Sequence, residues 1–141
     1  MSPGTGGRGP GSDFRLEPRE GYLYLHLEPG FEMTPASMEN IWMTISDACR
    51  KHGLRRVLAE GENVRRRLTT MESFDHAGLA ARLMPGLSVA CCFRGFVPDQ
   101  QTDFFRTAAM NRGVRTEFFQ DLNDALRWLG AGPEPPPGTT G

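Results

Sequence analysis

Residues 111–129, NRGVRTEFFQDLNDALRWL, constrain the fold of this chain more than any other stretch. Gly113 is the kind of residue that ends a helix, and Asp121 is the kind that begins one. Between them, residues 114–119 carry β-branched and aromatic side chains that favour a strand. A strand enclosed by two helices predicts a repeating β-α architecture, in which mostly parallel strands are joined by right-handed crossovers.

The same alternation of turn signals and apolar periodicity extends through the rest of the chain. The predicted strands cover residues 13–17, 21–27, 55–60, 87–93 and 114–119. The predicted helices cover residues 35–52, 70–83, 98–111 and 122–129. Turn-forming residues from Pro18 to Gly21 join the first two strands, which predicts a hairpin. The sequence therefore predicts an α/β fold of order β-β-α-β-α-β-α-β-α, with a mostly parallel five-stranded sheet led by a β-hairpin.

The second strand indicates how the sheet is covered. Its three leucines, at positions 23, 25 and 27, alternate with Tyr22, Tyr24 and His26. Successive side chains of a strand point to opposite faces, so one face of this strand is apolar and the other is aromatic and polar. Helices are therefore expected mainly on one face of the sheet. The face with the tyrosines is expected to be exposed, covered by a chain terminus, or buried in a homodimer interface.

The chain ends and the composition narrow the class of protein. Residues 1–12 and 130–141 are rich in Gly and Pro without apolar periodicity, which predicts disordered tails on a single domain of residues 13–129. A net charge of -1 gives no general attraction to nucleic acid or acidic membranes. Three cysteines without a CxxC pair support neither a disulfide framework nor a zinc site. No signal peptide or long apolar run is visible, which predicts a cytoplasmic protein without a transmembrane segment.

Four stretches of the chain together resemble a known family. They are the leading hairpin, VLAEG at residues 57–61, the segment from Phe104 through NRG and VRTEFF at residues 111–119, and ALRWL at residues 125–129. The resemblance is to the small bacterial STAS-like domains, which are related to anti-anti-sigma factors. It implies a sheet with strands in roughly sequential order and helices grouped on one face. It also implies a regulatory role exerted on a protein partner.

The resemblance further implies a place for regulation. Anti-anti-sigma factors are phosphorylated on a serine where the helix after the third strand begins. The matching region here contains Thr69, Thr70 and Ser73, the candidate phosphorylation positions, although the family's Asp-Ser motif is absent. The same fold is shared by CRAL-TRIO domains, which bind lipids, so the resemblance also admits an apolar ligand.

A run of three arginines, Arg65, Arg66 and Arg67, falls between the carboxyl end of a strand and the amino end of a helix. Parallel α/β sheets bind ligands at that edge. Cations near a helix N-terminus oppose its dipole, and a bound anion would relieve the repulsion. With Glu60 at the end of the preceding strand, the run is a candidate site for an anion or an acidic partner. The alternative is a solvated loop in which the arginines pair with Glu60 and Glu62.

Two further loops are expected at the same edge, and both carry apolar side chains. Phe31 and Met33 lie on the first, and Phe96 and Val97 lie on the second. Beside the arginines, these residues would form a mouth for an anionic amphiphile such as a fatty acid or phospholipid, or a docking patch for a protein. The alternative is that Phe31 and Phe96 fold back and cap the core.

No arrangement of residues predicts catalysis or a metal site. Ser73, Asp75 and His76 are the residue types of a hydrolytic triad, but they lie within one helical turn and lack the Gly-x-Ser-x-Gly turn. His26, His52 and His76 lie on separate elements without metal-ligand spacing. The chain is therefore expected to be non-enzymatic, with neither a cofactor nor a metal.

Two functions are compatible with these features. The first is a non-catalytic STAS-like regulatory or protein-binding module of unidentified partner, working through loops at the carboxyl ends of the strands. The alternative is a carrier or sensor of a hydrophobic anionic ligand, such as a lipid or fatty acid. A deep apolar cavity between sheet and helices favours the carrier, whereas a packed core with a flat, polar mouth favours the module.

Overall fold

The computed structural model describes residues 13–130, and the predicted tails, apart from Gly130, lie outside the described residues. The strands are β1 (Phe14–Arg19), β2 (Tyr22–Leu27), β3 (Glu32–Met33), β4 (Arg56–Glu62), β5 (Arg65–Arg66), β6 (Ser88–Arg94) and β7 (Arg115–Phe119). The helices are α1 (Pro35–His52), α2 (Thr70–Leu83), α3 (Gln100–Asn111) and α4 (Leu122–Leu129). Apart from the short β3 and β5, these elements have the predicted order, and they confirm the α/β fold class.

Five strands form one sheet in the order β1-β2-β4-β6-β7. β1 is antiparallel to β2, and the other neighbouring pairs in this sheet are parallel. The hairpin turns at Glu20 and Gly21, where a φ of 88° favours glycine. β1 continues through Pro18, which the sequence placed in the turn, because an edge strand tolerates a residue without an N–H. The hairpin-led, mostly parallel sheet is therefore confirmed.

Local sequence determines where each long helix begins. Thr34, Thr69 and Asp99 each accept a hydrogen bond from the backbone three residues later, and each of these caps has a reciprocal side-chain bond that completes a capping box. Asp121 caps α4 in a simpler way. α1 ends at Gly53, which has the left-handed φ of 67° that glycine adopts without strain.

The two faces of the sheet are covered unequally. α1, α2 and α3 cover one face over the main core, to which β2 contributes its leucines. α4 covers the other, where Tyr22 and Tyr24 pack with Leu126. Of these tyrosines only 6% and 7% is exposed, so the expectation of a solvent-facing or dimeric tyrosine face is wrong. The reason is that α4 packs its apolar side on the second face, while Arg19 of β1 lies over the Tyr24 ring, with its guanidinium carbon 3.9 Å from the ring centroid.

A second, two-stranded sheet lies at the carboxyl edge of the main one. β3 pairs in parallel with β5, which matches Glu32 with Arg65 and Met33 with Arg66. The sequence predicted loops here, because two residues are too few to show an alternating pattern. No helix within residues 13–130 is both long enough and apolar enough to cross a membrane.

Candidate functional site

An apolar cavity of about 90 Å³ lies between the main sheet and the helices α1, α2 and α3. Its origin is visible in the register of the sheet. Ala59 on β4 is paired with Cys91 on β6, and these small side chains are flanked by Leu25 on β2 and Phe118 on β7. Small residues at the centre of a row whose outer members are large leave space beneath the helices. The lining residues are Leu25, Leu27, Phe31, Met33, Met38, Ile41, Trp42, Ile45, Ala59, Arg66, Leu68, Ser73, Val89, Cys91, Phe93, Phe96, Gln101, Thr102, Phe105, Thr116 and Phe118.

The structure brings the predicted apolar mouth residues together on the wall of this cavity. Phe31 and Met33 are buried, with 5% and 8% exposed, and Phe96 is half-buried. Phe31 meets Phe14 edge-on at 6.5 Å between ring centroids. Phe96 stacks on Phe118 at 5.9 Å. These side chains therefore fold inward and form part of the wall rather than a projecting apolar patch.

Arg66 is the member of the arginine run that reaches the cavity. Its two terminal nitrogens donate to the two carboxylate oxygens of Asp99 at 2.9 Å and 2.6 Å, and one of them also donates to Thr102 at 3.2 Å. The guanidinium carbon lies 5.9 Å from the ring centroid of Phe96. Hydrogen bonds from Arg66 hold the pKa of Asp99 well below its usual range. The rim of the cavity therefore carries a matched pair of charges rather than an unopposed cation.

The other two arginines of the run have different neighbours and do not line the cavity. Arg67 lies 3.6 Å from a carboxylate oxygen of Glu32, with both side chains half or more exposed. Arg65 is exposed, and its backbone N–H donates to the carbonyl oxygen of Phe31 at 2.7 Å. The run is thus divided among separate environments and does not form one three-cation site.

Glu60 lies apart from the arginine run, on the face of the sheet that α4 covers. One carboxylate oxygen accepts a hydrogen bond from Tyr24 Oη at 2.5 Å, and the other accepts from Arg94 at 3.1 Å. Tyr24 Oη is also 3.2 Å from His26 Nδ1. Burial, together with the bond to Glu60, raises the pKa of the Tyr24 phenol well above its usual value. Glu60 therefore pairs with Tyr24 and Arg94 on neighbouring strands, and not with the arginine run as the sequence suggested.

The candidate phosphorylation positions differ in access. Thr69 and Thr70 are exposed at the start of α2, and Thr69 Oγ1 accepts from the Glu72 N–H at 3.1 Å. Ser73 is only 3% exposed, and its hydroxyl oxygen accepts from Gln101 Nε2 at 2.9 Å. A kinase could therefore reach the two threonines without unfolding α2, whereas Ser73 would first have to leave the core.

The residue types of a hydrolytic triad are not assembled. Asp75 is exposed, while His76 is buried with its Nδ1 unpartnered among residues 13–130. Burial lowers the pKa of His76 below its usual 6.5, although nearby carboxylates oppose the shift. Within that described range, no group of three His, Cys, Asp or Glu side chains could hold a metal ion. This part of α2 offers no nucleophile paired with a base.

Two residues with polar groups that line the cavity, Trp42 and Thr116, were not among the candidate site residues from the sequence. Trp42 belongs to the apolar stripe of α1, and Thr116 lies on β7 between the inward-facing Val114 and Phe118. The indole nitrogen of Trp42 and the hydroxyl of Thr116 have no hydrogen-bond partner in the part of the chain that the structure describes. The sequence did contain one sign of the Thr116 hydroxyl: threonine occupies an inward-facing position of β7, where the neighbouring inward-facing residues are apolar.

No protein-family model matches the chain, and no curated protein matches it.

Proposed function

We propose that this chain is a non-catalytic STAS-like domain that binds a small hydrophobic molecule in the cavity between its sheet and helices, as a carrier or a sensor. The observation that supports this proposal most is the cavity itself, about 90 Å³ of apolar space at the level of Ala59 and Cys91. Protein interiors are close-packed, and voids larger than a water molecule are few. Apolar cavities of this kind stay dry and take up small apolar ligands.

The size of the cavity bounds the ligand. An engineered apolar cavity of about 150 Å³ binds benzene. A space of about 90 Å³ accordingly suits a molecule smaller than benzene, such as a short branched hydrocarbon. A longer acyl chain would have to displace the half-buried rim residues Phe96 and Gln101.

Native mass spectrometry tests the proposal on the freshly purified chain and on two matched variants. Ala59→Val fills the cavity from β4, whereas Ala90→Val makes the same change on β6, facing α4. A ligand in the cavity gives a mass excess that is present under native conditions and lost on denaturation. The excess should disappear in Ala59→Val and persist in Ala90→Val.

A bare chain mass would contradict the proposal if small apolar molecules also fail to bind. That second measurement uses added 2-methylpropene and follows the methyl resonances of the lining residues Ile41, Ile45 and Val89. Unchanged methyl shifts in a solution saturated with 2-methylpropene would show that the space is not a binding site.

A protein-binding role is the second candidate, and exposed apolar side chains at one end of the helices support it. Met71 on α2 is 65% exposed and Phe104 on α3 is 41% exposed. Phe104 also lines a shallow groove with Thr70 and Gln101. A phosphoryl group on Thr69 or Thr70 would place charge beside this surface, as the resemblance to anti-anti-sigma factors implies.

The test of this second role is a phosphate-sized mass excess that survives denaturation and maps to residues 69–70. Partner binding that is lost in a Met71→Ser, Phe104→Ser double variant would support it. A phosphate-free chain whose partner binding is unaffected by the double variant would contradict it.

A further inference from the structure

Most of the cavity wall is buried, and its partly exposed members mark where the space approaches the surface. They are Met38, Arg66, Leu68, Phe96, Gln101, Phe105 and Phe118. Met38, Phe105 and Phe118 are held within α1, α3 and β7. Leu68 and Phe96 lie instead on the segments that lead into α2 and α3. Connecting segments open at a lower free energy than the interiors of helices and strands, so an entrance is expected between Leu68 and Phe96.

The Phe96 ring fills this entrance. It stacks on Phe118 of β7 at 5.9 Å between ring centroids and meets Phe93 edge-on at 6.0 Å. Arg66, two residues before Leu68, places its guanidinium carbon 5.9 Å from the centroid of the same ring. The ring therefore extends from β7 to the segment before α2, and a ligand that passes between these elements has to displace it.

The Gln120 side chain fastens the backbone at Phe96. Its amide nitrogen donates to the carbonyl oxygen of Phe96 at 3.0 Å and to that of Phe93 at 3.2 Å. The neighbours of Phe96 are Gly95, which has a φ of 82°, and Val97, which is 80% exposed. Gln120 is itself exposed and does not line the cavity. This fastening can therefore be removed without altering the cavity wall.

Two further sets of bonds cross the entrance, from the residues around the start of α2 to the first turn of α3. Arg66 donates to the two carboxylate oxygens of Asp99 at 2.9 Å and 2.6 Å. Gln101 donates to the carbonyl oxygen of Leu68 and to Ser73 Oγ, both at 2.9 Å. The ion pair joins side chains that are 22% and 50% exposed, and pairs of this kind contribute little to stability. These bonds can therefore break while the core stays folded.

We propose that residues 95–99 are a gate over the cavity, with the Phe96 ring as its moving part and the bonds of Gln120 and Arg66 as the contacts that hold it closed. This inference rests on the proposed ligand-binding function and names what controls access to that site. A ligand enters when the ring moves away from Phe118, and the same contacts form again behind it.

The gate has a kinetic consequence that separates it from a binding contact. The closing bonds are the same in the free and the occupied protein, so they make no difference to the affinity. They do oppose the opening through which a ligand enters and leaves. Weakening them should therefore raise the rate constants of entry and exit by the same factor.

The first test compares Gln120→Ala with Gln100→Ala. Gln100 is also an exposed glutamine, but it neither lines the cavity nor bonds to Phe96. The probe is 2-methylpropene, and its rate constants are obtained from NMR line shapes of the wall methyl groups during a titration. We expect Gln120→Ala to raise both rate constants about threefold to tenfold, the factor that corresponds to one net hydrogen bond, without changing Kd. Gln100→Ala should match the unaltered chain.

The second test locates the entrance. Phe96→Leu and Phe105→Leu each shorten a partly exposed aromatic residue of the wall, one on the connecting segment and one within α3. Both variants alter the wall, so the entry rate constant is compared rather than the affinity. Entry should be faster in Phe96→Leu and unaffected in Phe105→Leu. Faster entry in Phe105→Leu alone would place the entrance beside α3 and overturn the gate.

The remaining outcomes separate the gate from the binding function. Bound 2-methylpropene whose rate constants do not respond to Gln120→Ala would overturn the gate and leave the ligand-binding function intact. A change in the exit rate alone would mean that Gln120 acts on the occupied state, which also overturns the gate. Failure of 2-methylpropene to bind the unaltered chain would overturn the proposed function, and the gate with it.

Discussion

The hydroxyl of Tyr24 lies 2.5 Å from Oε1 of Glu60 and joins two neighbouring parallel strands, β2 and β4. The Glu60 side chain is only 17% exposed, so its carboxylate has limited access to water. Arg94 on β6 supplies the second partner. The two bonds to Glu60 therefore connect three adjacent strands on the face of the sheet that lacks the cavity.

Removing the Tyr24 hydroxyl should destabilise the fold by on the order of 1–3 kcal/mol, the range for losing a hydrogen bond to a charged group. The change is Tyr24→Phe, and the free energy of unfolding is measured in urea. Tyr22→Phe is the matched control, since its hydroxyl lies on the same face of β2 and accepts one longer bond of 3.3 Å from Arg19. Equal losses in the two variants would contradict the importance of the bond to Glu60.

A larger side chain should be tolerated in the cavity, whereas the same enlargement on the close-packed face beneath α4 should destabilise the fold. Ala59→Val adds two methyl groups to the cavity wall, so the free energy of unfolding should be unchanged or modestly higher. Ala90 is 0% exposed on the face covered by α4, where overpacking costs about 1–3 kcal/mol. Chemical denaturation of Ala59→Val and Ala90→Val measures the difference. A larger loss for Ala59→Val would show that the space is occupied in the folded chain.

The buried His76 should make the fold sensitive to mild acid. Burial lowers the pKa of His76 in the folded chain below the usual 6.5, so the unfolded chain binds more protons between the two values. The free energy of unfolding should therefore decrease as the pH falls below about 6.5. The contribution of His76 to this decrease should end once the pH is below the lowered pKa of His76 in the folded chain.

Urea unfolding of the unaltered chain and of His76→Phe, between about pH 8 and pH 5, measures the contribution of this residue. The curve of the variant should be flatter in that window. The carboxylate of Asp99 does not interfere, because its stabilisation is present above its usual pKa of 3.8 and is lost only at lower pH. Parallel curves for the two proteins would contradict the assignment to His76.

Releasing Arg66 from its carboxylate partner should change the ligand preference at the rim. Asp99→Asn keeps a residue that caps α3 well but removes the negative charge of an exposed side chain, so the stability cost should be small. The freed guanidinium can then bind an anion, and affinity for acetate should rise by at least about threefold. Calorimetry measures this change.

Asp103→Asn is the control for that experiment. Asp103 is an exposed acidic residue of α3, and its carboxylate lies 3.7 Å from Arg106 rather than beside the cavity. The two variants lose the same charge, so a general electrostatic effect would raise carboxylate affinity in both. An increase confined to Asp99→Asn assigns the effect to Arg66.

The sequence predicted the elements and their order because their ends are determined by local chemistry. Thr34, Thr69 and Asp121 are cap residues that act on backbone groups within three positions, and Gly53 adopts a φ that other residues avoid. The alternation in β2 correctly placed its leucines under the helices. Each of these signals involves only a few neighbouring residues, so it can be recognised in the sequence without knowledge of the tertiary structure.

What the sequence did not provide depends on contacts between distant segments. The pattern of α4 shows which side of the helix is apolar, but not that this side covers Tyr22 and Tyr24. The ion pair of Arg66 and Asp99 joins residues 33 positions apart. The cavity results from the strand register that places Ala59 beside Cys91, and neither residue is unusual in its own segment.

Cys91 and Cys92 are consecutive on β6, and successive residues of a strand face opposite sides of the sheet. Cys91 lies on the wall of the cavity, whereas Cys92 packs beneath α4 with its side chain 0% exposed. Burial raises the pKa of Cys91 to about 12 and raises the pKa of Cys92 as well, so neither thiol is reactive while the fold is closed. Cys49 is a third buried thiol in the same core as Cys91, so the labelling is done in a Cys49→Ala background. In that background, the labelling rates of Cys91→Ala and Cys92→Ala should report separately on opening of the two layers. A ligand in the cavity should slow labelling of Cys91 more than labelling of Cys92.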